Sequence, residues 1–66
     1  MTTKQKFAID RAGARYAIDD RGSVVWLTGS HRGMQLEFAR RADAEAIIAA
    51  YAASTRAKMC VVEVRG

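Results

Sequence analysis

Phe7 and Ile9 are apolar between Lys6 and Asp10, an alternation that predicts a half-buried strand with Ala8 on its outer face. Residues 10–13 read as a turn in which Gly13 is free to take positive φ. Residues 15–19 alternate again, with Tyr16 and Ile18 inward, and residues 20–23 form a second turn. The run Val24-Val25-Trp26-Leu27-Thr28 is β-branched and aromatic, and it is apolar on both faces. It predicts a central strand, covered by a helix on one side and by another element on the other. Residues 29–33 are a loop bracketed by glycines. Met34, Leu36 and Phe38 then point in, and Gln35 and Glu37 point out, as in a fourth strand.

From about Arg40 the period changes to that of a helix, carried by Ala44, Ile47, Ile48, Tyr51 and Ala52. The many alanines favour helix directly. Asp43 and Glu45 near its start, and Arg56 and Lys58 past its end, suit the helix dipole. Neither Ala39 nor Arg40 is a capping residue type, so the start is defined only to within a turn. Residues 59–64 are a last strand, in which Cys60, Val62 and Val64 share the buried face. The expected fold is α+β, one domain over residues 1–66: a four-stranded antiparallel meander, one amphipathic helix packed on a sheet face, and a final strand, β-β-β-β-α-β. The final strand lies beside the fourth or pairs antiparallel with the first. The second arrangement carries the helix across the whole sheet.

A chain of 66 residues buries about 60% of the surface its unfolded form exposes, so its core needs tight packing or a supplement. Cys60 is the lone cysteine, which rules out an internal disulfide, and one Cys with His31, the lone histidine, does not make a zinc site. Self-association through an edge strand, as a homodimer, is the remaining supplement. Half of the residues are apolar and 27% charged, a globular balance with no apolar run of membrane-spanning length. The leading residues carry no signal-type hydrophobic stretch, so the expected setting is the cytoplasm of a bacterium, or of a host cell if the chain is phage-encoded. Abundant Ala, and Arg in excess of Lys, suggest a GC-rich genome.

No catalytic or cofactor set emerges. The loop Gly29-Ser30-His31-Arg32-Gly33 could cradle a phosphate, but it joins two strands and lacks the helix that a phosphate-binding loop opens. Ser30 and His31 are neighbours without an orienting carboxylate. Asp19 and Asp20 are explained by turn chemistry. Trp26 is a core anchor if it faces the helix and a partner hot spot if it faces out.

The net charge is +4, and the meander collects most of it. Alternate turns share an end, so Arg11, His31 and Arg32 should meet Arg56 and Lys58 at the helix exit. The far end mixes Arg21, Arg40, Arg41 and Arg65 with Asp19, Asp20 and Asp43. Arg11, His31, Arg32, Arg56 and Lys58 are therefore the expected partner-binding residues, facing an acidic protein surface. The alternative is nucleic acid, disfavoured because the turns of this end contain no aromatic residue for base stacking.

The layout Phe7-x-Ile9, Tyr16-x-Ile18-Asp19-Asp20, Trp26, Phe38, Ala44-Glu45-Ala46-Ile47 and a closing Val61-Val62-Glu63-Val64 resembles a loose class of small phage, prophage and bacterial accessory proteins. The class supplies no catalytic residues. The resemblance implies a setting, that of mobile-element accessory proteins, among which inhibitors of host machinery and of CRISPR defence are common; the expected function is a non-enzymatic module that docks on another protein, such as a host protein.

Overall fold

The computed structural model of the chain describes residues 5–65; Met1, Thr2, Thr3, Lys4 and Gly66 lie outside it, as does the side chain of Arg65. The fold is α+β, as expected: four antiparallel strands with helix packed against them. The strands are β1 (Gln5–Arg11), β2 (Ala14–Ile18), β3 (Val24–Leu27) and β4 (Met59–Arg65), in the order β3-β2-β1-β4. The first three form the meander, and the C-terminal β4 pairs antiparallel with β1 from Gln5↔Arg65 to Arg11↔Met59. Helix α1 (Arg41–Ala49) packs on β1 and β4.

The expected fourth strand takes another form. Residues 29–34 wind into a 3-10 helix, and residues 35–38 run extended into a fork between β1 and β2. Those strands pair only at Asp10↔Arg15 and Arg11↔Ala14 before they part. Leu36 N–H donates to the Tyr16 carbonyl at 2.9 Å on one side of the fork. Phe38 exchanges bonds of 2.7 and 2.8 Å with Phe7 on the other. The segment thus satisfies backbone groups that the splayed strands leave open. Leu36 and Phe38 do pack on the core, whereas Met34 is 75% exposed rather than inward.

Because residues 35–38 enter the fork, no described residue pairs with the outer side of β3, so it is an edge strand and not the expected central one. Ile18, expected inward, is 41% exposed, since α1 lies over β1 and β4 and does not reach it. The phase of β4 is the reverse of that expected. Its register sets Val61 opposite Ile9 and Cys60 opposite Asp10, so Met59 and Val61 face the core and Cys60 is exposed. Ala8, assigned to the outer face, is nonetheless buried.

The core cluster is Ile9, Tyr16, Ala44 and Met59, flanked by Trp26, Leu36, Phe38, Ile47, Ile48, Tyr51 and Val61. Burial pushes the Tyr16 phenol above the ordinary tyrosine range, and Tyr51 nearby adds to the rise. The single helix expected is divided. Ala50 and Tyr51 donate to the Ile47 and Ile48 carbonyls, three residues back, which tightens the last turn. Ala52 is extended, and α2 (Ala53–Arg56) follows. Tyr51, at the break, packs on the core cluster.

Ala12 and Gly13 form the two-residue turn between β1 and β2, with φ of 51° and 91°. Both angles are positive, as in the mirror-image turns that suit hairpins and favour Asn-Gly. Ala12 is exposed and adopts a left-handed conformation that costs an L-residue about 1 kcal/mol. Ala12→Asn should recover much of that, raising Tm by about 4 °C or more in a thermal melt. An unchanged or lower Tm would show that the turn is not strained.

Candidate functional site: a basic end around the first hairpin turn

The β1–β2 turn stands at one end of the sheet, and three segments meet there. The Ala12 N–H donates to the Lys58 carbonyl at 3.3 Å, which ties the exit of α2 to the turn. The Arg32 guanidinium, from the 3-10 helix, donates to the Gly13 carbonyl. Arg11 closes β1 beside them, its guanidinium 4.4 Å from the centre of the Trp26 ring. Arg11, Ala12, Ser54, Thr55 and Lys58 line a groove of about 470 Å³.

Charge compensation at this end is thin. Asp10 is the nearest acid in sequence, but its carboxylate is occupied by Arg15 Nε at 3.0 Å and by the Gly13 N–H at 3.0 Å. Arg15 in turn donates to Gln35 at 2.6 Å. Among the described residues, Asp10 with Arg15 is the one ion pair, so Arg11, Arg32, Arg56 and Lys58 are without an acidic partner. Their field is directed to solvent.

Of the five residues expected at this end, the structure gathers Arg11, Arg32 and Lys58 around one turn. Arg56 is exposed on the same short helix as Ser54 and Thr55 but does not line the groove. His31 is exposed on the 3-10 helix. The hydroxyls of Ser54 and Thr55 were not anticipated. Their signal in the sequence is the Ser-Thr pair that interrupts an alanine-rich run.

Trp26 settles on the helix side of the sheet, packed edge-on to Tyr16 with ring centroids 5.4 Å apart. It is a half-buried core residue and also the seat of Arg11. A guanidinium stacked on a partly desolvated indole gains about 0.5–2 kcal/mol and is held in a fixed orientation. Arg11 is therefore presented to the groove on a rigid support.

The opposite end is built by Asp19. Its carboxylate accepts from the Arg21 N–H at 2.9 Å and the Ser23 N–H at 2.8 Å, and Gly22 closes the turn at φ 82°. Turn chemistry thus accounts for Asp19. Among the described residues, no three His, Cys, Asp or Glu side chains gather as a metal site would require, and no helix is long and apolar enough to cross a membrane. No protein-family model, curated protein or solved structure matches the chain.

Proposed function

We propose that the protein is a non-enzymatic binding module that docks its basic end on an acidic protein surface. The observation that carries this reading is the meeting of Arg11, Arg32 and Lys58 around one hairpin turn, where the Asp10 carboxylate is committed to Arg15 and, among the described residues, none of the three cations has an acidic partner. Arg11, His31, Arg32, Arg56 and Lys58 are the contact set. The groove between Lys58 and Arg11 admits one or two acidic side chains, with Ser54 and Thr55 as hydroxyl donors beside them. On the terms of the resemblance, the partner is a host protein in the bacterial cytoplasm, and docking inhibits host defence or other host machinery.

Nucleic acid would use the same cations through its phosphates. The aromatic residue at this end, Trp26, does not favour that version, because Arg11 covers one face of its ring and its body packs on Tyr16. Titration of the intact chain with a glutamate-rich peptide, and with single- and double-stranded DNA, separates the two. The expected result is binding to the peptide at low salt, weakened about tenfold by Lys58→Glu, or about 1.4 kcal/mol. Binding to DNA with a steep salt slope, in place of the peptide, would transfer the site to nucleic acid. Peptide binding unchanged in the Lys58→Glu, Arg56→Glu double variant would remove the site from this end.

A further inference from the structure

We propose that the protein self-associates through the open edge of β3, pairing antiparallel with a second copy about a two-fold axis at Val25. The ladder shows which backbone groups are free to do this. Asp19 N–H donates to the Ser23 carbonyl at 2.9 Å, so the turn closes on a hydrogen-bonded pair. Bonded and non-bonded pairs then alternate along β2 and β3. Ile18↔Val24 is non-bonded, Ala17↔Val25 bonded and Tyr16↔Trp26 non-bonded. The Tyr16 carbonyl independently sets the same phase, because it accepts from Leu36 on the side away from β3. Val24 and Trp26 therefore direct their N–H and C=O groups to the open edge.

A two-fold axis at Val25 sets Val24 against Trp26 of the partner subunit, and Trp26 against Val24 of the partner subunit. In this register both outward-bonding residues of each copy find partners within β3, and each pair exchanges two backbone hydrogen bonds. The side chains agree with it. Val24, 43% exposed, comes beside the indole of the partner's Trp26, a β-branched and aromatic cross-strand pair. On the other face Val25, 38% exposed, meets the partner's Val25. A groove of about 330 Å³ continues this apolar surface over Ala17, Leu27 and Met34.

Charge selects a second copy as the occupant. The turn before β3 holds Asp19 and Asp20 with one cation, Arg21, and the 3-10 helix after it holds His31 and Arg32 with no acidic residue. Antiparallel pairing in this register brings Ser23 level with the partner's Leu27, so the turn that Asp19 closes with Ser23 lies beside the residues that lead into the partner's 3-10 helix. The net-acidic turn of each protomer thus lies at the end where the basic segment of its partner begins, twice over by symmetry. The core supplies a motive as well. Ile9 is the one large side chain fully buried among the described residues, which leaves a chain of this size short of apolar burial. The other sheet edge is less suited, since α1 and α2 pack on β4 and Glu63 is exposed there.

Sedimentation equilibrium on the intact chain over a concentration series tests this. The expected result is twice the monomer mass at high concentration, falling to the monomer on dilution. Val24→Pro removes one outward N–H and no bond to β2, so it should give a monomer with native far-UV circular dichroism. Val25→Lys places two like charges on the axis and should raise the dimer Kd at least about tenfold. It keeps the backbone intact should the proline variant not fold. A wild-type monomer at every concentration, or an unchanged dimer Kd in Val25→Lys, would overturn the proposal. Lys58→Glu should leave the mass unaltered, so failure here and failure of the basic-end reading are separate results.

Discussion

Replacing Ile9 with Ala is expected to leave the chain largely unfolded in water. Ile9 is fully buried, and its neighbours in the core come from three other elements: Tyr16 on β2, Ala44 on α1 and Met59 on β4. Deleting its side-chain carbons loses transfer free energy and leaves a cavity that such differently anchored walls cannot close together. The usual cost is about 2–5 kcal/mol. A single core of this size supplies no more than about 3–5 kcal/mol of net stability. The two quantities are comparable, so the folded population should collapse rather than shift. Ile9→Val keeps most of the volume and should cost about 1 kcal/mol. Urea melts followed by circular dichroism give the comparison: a cooperative transition for wild type, an earlier one for Ile9→Val, and none for Ile9→Ala. An Ile9→Ala midpoint close to that of wild type would mean that the core is centred elsewhere.

The strands and turns that rest on local chemistry were legible in the sequence. Gly13 at positive φ, Asp19 in its turn, and the alternation of Phe7 with Ile9 all follow from residue type and spacing. The pairing of β4 with β1 is one of two arrangements that the pattern leaves open, and the ladder from Gln5↔Arg65 to Arg11↔Met59 decides it, with α1 packed on β1 and β4. What was not legible depends on tertiary competition. Residues 34–38 alternate as a strand should, yet the fork between β1 and β2 offers a place for only one bridge. No Gly or Pro marks the end of α1, and the chain breaks there as Tyr51 joins the core. In β4 the run Cys60-Val61-Val62 is apolar in both phases, so periodicity alone could not choose the face, and the pairing with β1 does so.

The basic end was legible in outline because it depends on topology: turns on alternate connections of a meander share an end. The details depend on side-chain reach. Arg32 arrives at the turn only because residues 29–34 coil back as a 3-10 helix. Arg11 is turned onto Trp26 by its place on the helix side of β1, opposite Ala14. Asp10, at the same end, is neutralised locally by Arg15.

Phe38→Ala tests the element that the sequence represented least well. The Phe38 ring is half-buried, tilted against Tyr16 with centroids 6.5 Å apart, and its backbone makes both bonds of the bridge to Phe7. A fully buried Phe truncated to Ala costs about 3–5 kcal/mol; half-burial places this one nearer about 2–3 kcal/mol. The loss should not be spread evenly. A regular strand would keep its ladder after one side chain is lost, because neighbouring pairs hold the register. Residues 35–38 have one bridge and one further bond, to Tyr16, so the ring is the anchor that keeps them in the fork. Hydrogen exchange at the Phe7 and Leu36 amides should therefore accelerate more than at Ala17 or Val25, which lie in the β2–β3 ladder. Uniform acceleration across all four amides would indicate that the segment unfolds only with the whole domain. In that case the fork would be held by its backbone bonds and not by Phe38.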